Sequence, residues 1–508
     1  MTSGISEAPA ASGAPGPAAS NPRPAAGTTT AGTATGSAAS AAASAAVSAA
    51  VEHADVSGLE LVRFLYADHG GIIRGKAATR QFLGERIESG IGHTVAMMAM
   101  SMLDSLQPVE GMGPVGEIRL RPDPATLVPL PYAPGAGAML ADQVRPDGSP
   151  WDGCARTFLK QAIADLAAAG FAMQAAFEPE FSLGRRVPDP HGGPDMLVPL
   201  DDSLCYSGTG FHVAHDYIID LIAAMRAQGL QVEHYYPELG HGQQEVVIRH
   251  GEALRAADNH VLYRETVRGV AFRHGLWASL APKPIPDQAG NGAHLHASLT
   301  DLATGRAAFA DLAGRFGLSA TGYHFIGGLL AHLPALIALT CASVNSYRRL
   351  QPQFWSSAFV AYGMDNREAA VRICSPLAGG TGADSGRADA GGSINLELKP
   401  SDSSANPYLA LGAVIYAGLD GIRRQLDPGE PVDVDPATLS AEQRERLGAR
   451  RLPETLPRAL DALEADEVLM NALGSGFSTA YLAVRRSEWA AFSTQGSAFE
   501  HKHHFWKY

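Results

Sequence analysis

Polar and apolar residues alternate with a period of two in four short segments of this chain. Residues 177–183 place Glu178 and Glu180 on one face, and residues 243–248 do the same for Gln243 and Glu245. Residues 293–299 set His294, His296 and Ser298 against Leu295, Ala297 and Leu299. Residues 394–399 set Asn395, Glu397 and Lys399 against Ile394, Leu396 and Leu398. Successive strand side chains point to opposite sides, so each segment predicts a strand with one apolar and one polar face. Helical periodicity covers 157–169, 215–227, 252–274 and 408–426. Gly170, Gly229 and Gly275 close the first three, as glycine often does just past a helix end. Residues 464–492 predict further helices, and 427–450 a charged, Pro-containing surface insert. Upstream, 59–67 is β-rich and ends in Asp68-His69-Gly70-Gly71, a turn signal, with 72–76 as its hairpin partner. A short alternating run at 117–120 and a Pro-rich stretch at 122–134 complete that region.

The order of elements predicts an α+β chain. Residues 1–55 are almost entirely Ala, Ser, Thr, Gly and Pro. They bury too little apolar surface to offset chain entropy, so they predict a disordered tail, helix-prone only over 39–51. Residues 56–146 predict a small β-rich domain and residues 147–508 a larger mixed one.

Composition narrows the class. Of 508 residues, 52 are Asp or Glu and 39 are Lys or Arg, a net charge of −13. That balance argues against a nucleic-acid coat and against adsorption to anionic membranes. The apolar segment 325–344 contains His332 and Pro334 and predicts a buried core helix rather than a membrane span. Cys154, Cys205, Cys341 and Cys374 form no CxxC pair. They predict reduced thiols in a cytoplasmic protein, and the N-terminus predicts no secretory signal. Asp201-Asp202 predicts a solvated loop, and His501, His503 and His504 a polar C-terminal tail.

A wet strand face is ordinary in itself. These four faces differ because they carry Glu and His with little ordinary surface polarity. Glu238, one Gly-containing turn before the 243–248 segment, adds a fifth carboxylate, and five converging carboxylates repel unless cations neutralise them. Carboxylate-rich ligation with imidazole suits Mg²⁺ or Mn²⁺. A cationic cluster follows in Arg348, Arg349, Arg367 and Arg372. Arginine beside a metal–carboxylate site suits recognition of carboxylate and phosphate, the parts needed for phosphoryl transfer from ATP. A metal amidohydrolase built on the HxH strand is the alternative, which the arginines disfavour.

Over about residues 59–508 the chain resembles the glutamine synthetase family. The anchors are Arg74-Gly75-Lys76, Arg121-Pro122-Asp123-Pro124-Ala125-Thr126, Glu178-Pro179-Glu180-Phe181, and Glu238 with Gly242-Gln243-Gln244-Glu245. Lys283-Pro284, Gly290-Asn291-Gly292-Ala293-His294-Leu295-His296, Val344-Asn345-Ser346-Tyr347-Arg348-Arg349-Leu350, Asn366-Arg367, Arg372, and Glu397 with Ala405-Asn406-Pro407-Tyr408 complete them. The resemblance implies an N-terminal β-grasp domain and a catalytic α/β domain whose antiparallel sheet carries the active site. It also implies stacked rings, usually dodecamers. Glu180, Glu238 and Glu245 would hold one divalent metal, and Glu178, His294 and Glu397 a second. Glu233, His296 and Ser298 match nucleotide-contacting positions, and Gly290 the glutamate-binding loop. Arg349 matches the residue gripping the amino acid; Arg367 and Arg372 match those binding phosphate and the transition state.

Three departures shape the functional expectation. The family's flap Glu, six residues after the substrate Arg, binds and deprotonates ammonium; here that position is Trp355. Lys399 stands where an Arg is expected, and Ala289 where an Asn precedes the glutamate-loop Gly. Trp355 cannot take a proton but can wall a larger amine. The Trp and Lys variants resemble a subgroup of bacterial γ-glutamyl-amine ligases and the synthetase-like parts of fungal and plant fusion proteins. The expected activity is therefore ATP-dependent joining of glutamate's γ-carboxylate to an amine. An ammonia-using synthetase and a catalytically silent regulator are the alternatives.

Overall fold

The structure, a computed structural model, describes residues 33–189, 195–375 and 394–508. Among the described residues, 33–45 fall in one unit and those from Ala46 to Tyr508 in another. Early in the second unit, six strands make one sheet. They are β1 (Leu61–Ala67), β2 (Ile73–Thr79), β3 (Ile91–Thr94), β4 (Glu117–Pro122), β5 (Val128–Pro129) and β6 (Ala136–Val144). Their order is β2-β1-β6-β4-β3, with β5 on β6. β1 and β6 run parallel and the other pairs antiparallel. The expected β1–β2 hairpin forms. Its turn is buried rather than exposed: Asp68 accepts from Ile72 N at 2.9 Å and from Arg74 Nε at 2.6 Å, and His69 packs on Phe477.

The larger sheet has ten strands. They are β7 (Phe171–Val187), β8 (Met196–Pro199), β9 (Val232–Pro237), β10 (Gln243–Ile248), β11 (Gly251–Glu252), β12 (Trp277–Ser279), β13 (Ala293–Asp301), β14 (Tyr362–Met364), β15 (Val371–Cys374) and β16 (Asn395–Leu398). The order is β14-β15-β16-β13-β7-β10-β9, with β8, β11 and β12 also on β7. Only β14–β15 is parallel. The 17-residue β7 is the spine, and its length lets it serve five partners. Phe177, Phe181, Val246, Leu295 and Leu299 face a core shared with the helix Ala253–Arg273. The helix Ala320–Thr340 is long and apolar enough to cross a membrane, but 72% of its apolar 18-residue window is buried and it packs on Pro407–Arg424, so it is a core helix.

Two stretches differ from the sequence expectation. The tail expected to be disordered through residue 55 is helical over Thr33–Val56; the expectation for residues 1–32 lies outside the described residues. Alanine is the strongest helix former. Val47, Ala50, Val51 and Ala54 recur at helical spacing and meet Leu83, Phe64 and their neighbours, so the segment gains a packing face that composition alone conceals. The C-terminal histidines are no loose tail either. They lie on the helix Ser497–Phe505, with His504 buried.

Arg156, on the helix Ala155–Ala168, ties the small sheet to the helix Ala253–Arg273. Its guanidinium is 2% exposed and reaches Asp258 and Asp123 at 2.9 Å and Asp142 at 3.1 Å. Removing one partner of such a buried cluster strands the others. Arg156→Ala is expected to lower unfolding free energy by about 3–5 kcal/mol, measured by urea denaturation. Arg156→Lys should recover only part, because an ammonium lacks the fork that spans three carboxylates.

Candidate active site

The registers of the large sheet assemble the site. Glu178 lies opposite His294, Glu180 opposite Glu245, and Glu397 opposite both His296 and Arg372. The β9–β10 turn adds Glu238. Two cavities open on this face and share Glu178. One, of about 510 Å³, is lined by Glu233, His296, Ser298 and Arg372. The other, of about 480 Å³, is lined by Glu180, Glu238, Glu245, Gly290, His294, Arg349, Trp355, Arg367, Glu397 and Lys399. The residues expected at the nucleotide thus face one cavity. Most expected at metal and amino acid face the other.

Charge is unevenly compensated. Burial pushes Glu180 up to about 7, with Glu238 adding to the effect. Burial, then repulsion from Glu180 and Glu178, pushes Glu245 up to about 9. Burial also raises Glu238. Glu180 accepts from Gln243 Nε2 at 2.6 Å and Gly292 N at 3.1 Å. Tyr236 OH donates to Glu245 at 2.5 Å. These neighbours orient the oxygens without supplying the missing positive charge. A close-set group of buried, mutually repelling carboxylates fits a divalent cation.

The cationic half is satisfied internally. Burial opposes ionisation of Glu397, yet Lys399, His296 and Arg372 hold its carboxyl well below the usual range. Arg372 Nε hydrogen bonds it, and Lys399 Nζ lies 3.5 Å away. His294 Nδ1 lies 3.2 Å from Glu397, but its Nε2 faces Arg349 at 3.2 Å and Lys399 at 3.4 Å. Burial, then Lys399, keeps His294 neutral. His296 Nε2 is 3.1 Å from Glu178, is buried, and makes no aligned hydrogen bond. Its Nδ1 meets Asn395 Oδ1 at 2.8 Å. Among the described residues, Glu178, His296 and Glu397 are the set whose ligand atoms all lie within 4.8 Å of one another. The structure therefore brings His296 into the Glu178–Glu397 group, where the resemblance implied His294.

Glycine is required where the loop meets the arginine. A Cβ on Gly290 would sit 2.4 Å from Pro282 O, and one on Gly292 would sit 2.5 Å from Arg349 Nη2. At the mouth, Phe354 and Trp355 are 55% and 62% exposed. Gln353, Trp355 and Ser357 all have positive φ, at 62°, 57° and 64°, each costing about 1–2 kcal/mol for an L-residue. Lys283 Nζ lies 4.8 Å from the Phe354 ring centroid. The sequence reading missed Tyr236, Asn395 as an imidazole partner, and Glu368. Counting back from Glu245 across the β9–β10 turn would have found Tyr236. Nothing local marks Glu368.

Two metal-ready carboxylate groups, an arginine set and a nucleotide-sized cavity on one antiparallel face define an ATP-dependent ligase site. The glutamine synthetase N-terminal domain model matches residues 45–151, and the glutamine synthetase catalytic domain model matches 152–504. The chain belongs to the glutamine synthetase family. It is 38% identical to gamma-glutamylpolyamine synthetase GlnA3 of Streptomyces coelicolor over 85% of this chain and 90% of that one. It is 35% identical to a glutamine synthetase of Halobacterium salinarum over 76% and 82%. A crystal structure of a novel glutamine synthase homolog aligns with TM-score 0.76 at 34% identity, over 89% and 99% of the chains. A GmaS/ADP complex aligns with TM-score 0.75 at 31% identity, over 89% and 97%. Family membership brings ATP and a divalent metal.

In metal-free protein, Glu180 and Glu245 release protons near pH 7 and 9, against 4.5 for an unperturbed Glu. Between those values the folded state holds extra protons, so stability falls as pH rises. The Tm of EDTA-treated protein should fall from pH 5 to pH 9. Glu245→Gln should flatten the upper part, and saturating Mn²⁺ should reverse the fall. A Tm indifferent to both pH and Mn²⁺ would count against a metal here.

Proposed function

We propose that the protein phosphorylates the γ-carboxylate of glutamate from ATP and joins it to an amine larger than ammonia, as a γ-glutamyl-amine or polyamine ligase. The observation that carries this is Trp355, an indole at the cavity mouth where an ammonium-binding carboxylate would stand. Residues 353–357 contain no acid at all. The relative named gamma-glutamylpolyamine synthetase supports the amine reading. Relatives named glutamine synthetase support the second reading, an ammonia-using enzyme. A silent regulator is disfavoured, since it has no need for the complete acid set.

A carboxylate is a poor electrophile. A γ-carboxylate oxygen attacks the γ-phosphorus of ATP, the bond to ADP breaks, and an acyl phosphate forms. The amine nitrogen then attacks the acyl carbon; phosphate leaves and the nitrogen loses a proton. Divalent ions held by the carboxylates would supply positive charge to neutralise the phosphate oxygens. Glu180, Glu238 and Glu245 would hold one ion; Glu178 and Glu397, with His294 or His296, a second. Glu233 and Ser298 line the nucleotide side, joined by His296 where it is not a ligand. Arg349 grips the amino acid beside Gly290, and Lys399 keeps a positive charge there. Arg367 and Arg372 stabilise charge on the transferring phosphoryl group. Trp355 offers an apolar, cation–π wall to the amine.

The same reading divides the chain at 146/147, takes the small sheet as a β-grasp, and has the protein cytoplasmic and assembled in stacked rings. The parallel β1–β6 pair beside the helix Leu83–Ser89 supports the β-grasp.

ADP release with glutamate and a panel of amines tests the activity. Di- or polyamines should exceed ammonia, and Trp355→Ala should lower kcat/KM for the preferred amine at least tenfold, about 1.4 kcal/mol. Full-rate turnover with ammonia alone would favour the second reading. Glu397→Ala should abolish ADP formation; an active variant would sink the metal assignment.

A further inference from the structure

The flap that carries Phe354 and Trp355 is held in a conformation it would not adopt alone. Gln353, Trp355 and Ser357 alternate into the left-handed region within five residues, and none is glycine. Backbone of this kind turns successive N–H groups to one side and makes a concavity for an anion. The Glu368 carboxyl occupies it. Glu368 Oε1 accepts from Trp355 N at 2.7 Å, and the Gln353 N–H also favours its charged form. Glu368 is itself fixed from behind. Its N–H donates to Asn366 Oδ1 at 3.0 Å, and Asn366 Nδ2 donates to Val432 O and Val434 O at 2.7 and 3.0 Å. The flap is thereby tied to the segment bearing Arg367.

We propose that Glu368 is a positioning residue that latches the aromatic flap over the amine pocket and sets amine affinity through Trp355. The inference rests on the amine-ligase reading for its kinetic consequence, but not for the latch itself. Charge on Glu368 matters less than an acceptor oxygen at that point. Glu368→Gln keeps such an oxygen, whereas Glu368→Ala removes it and frees the strained backbone.

Hydrogen exchange of the Trp355 amide and steady-state kinetics test this on the full chain. In the native protein the Trp355 amide should exchange at least tenfold more slowly than in Glu368→Ala, with Glu368→Gln close to native. KM for the amine should rise at least tenfold in Glu368→Ala. KM for glutamate and ATP, and kcat, should stay within about twofold, and Glu368→Gln should restore the amine KM. An unchanged Trp355 exchange rate in Glu368→Ala overturns the latch. So does a Glu368→Gln variant as impaired as Glu368→Ala, which would mean the carboxylate binds the amine directly. If no amine supports ADP release, the ligase reading fails while the exchange data still decide the latch.

Discussion

Buried like charge is the constraint on which this structure turns. Glu178, Glu180, Glu238, Glu245 and Glu397 converge on one sheet face, where partial burial weakens screening by water. Glu397 is compensated by the chain itself, through Arg372, Lys399 and His296. Glu180 and Glu245 are less so; burial and repulsion from neighbouring carboxylates outweigh the pull of Arg349 on Glu180 and raise both. The fold stores that repulsion because β7 is pinned by five neighbouring strands and cannot slip register without turning Phe177 and Phe181 out of the core. A strand that cannot move is what makes a costly acid cluster a usable cation site.

The second theme is a trade at the cavity mouth. Trp355 offers no proton acceptor and presents a broad apolar surface. The flap then needs another means of staying closed, and its three left-handed residues make that need acute. Glu368 supplies an acceptor from a different segment. Lys399 shows the same economy: it keeps the positive charge beside Glu397 and His294 while giving up the planar fork of an arginine.

Much of the site was legible along the chain. Period-two alternation put Glu178 with Glu180 and His294 with His296, because a strand fixes which side chains share a face. The anchors of the family resemblance placed Glu238, Arg349, Arg367 and Arg372. The tail was misread beyond Ala46 because composition reports entropy, not the partner surface that Leu83 and Phe64 provide. The C-terminal histidines were misread for the same reason: a polar pattern does not show what will pack on it.

The sequence by itself determined the identity of the strands, the polar face of each, and the tryptophan at position 355. Each depends on spacing within one segment, which covalent geometry fixes. Only the tertiary structure decided that Glu245 sits against Glu180, that His296 Nε2 comes within 4 Å of both Glu178 and Glu397, and that Glu368 meets Trp355 N. Those are choices of register and loop path between segments far apart in the chain. They are settled by what the core can bury, which no single stretch of residues contains.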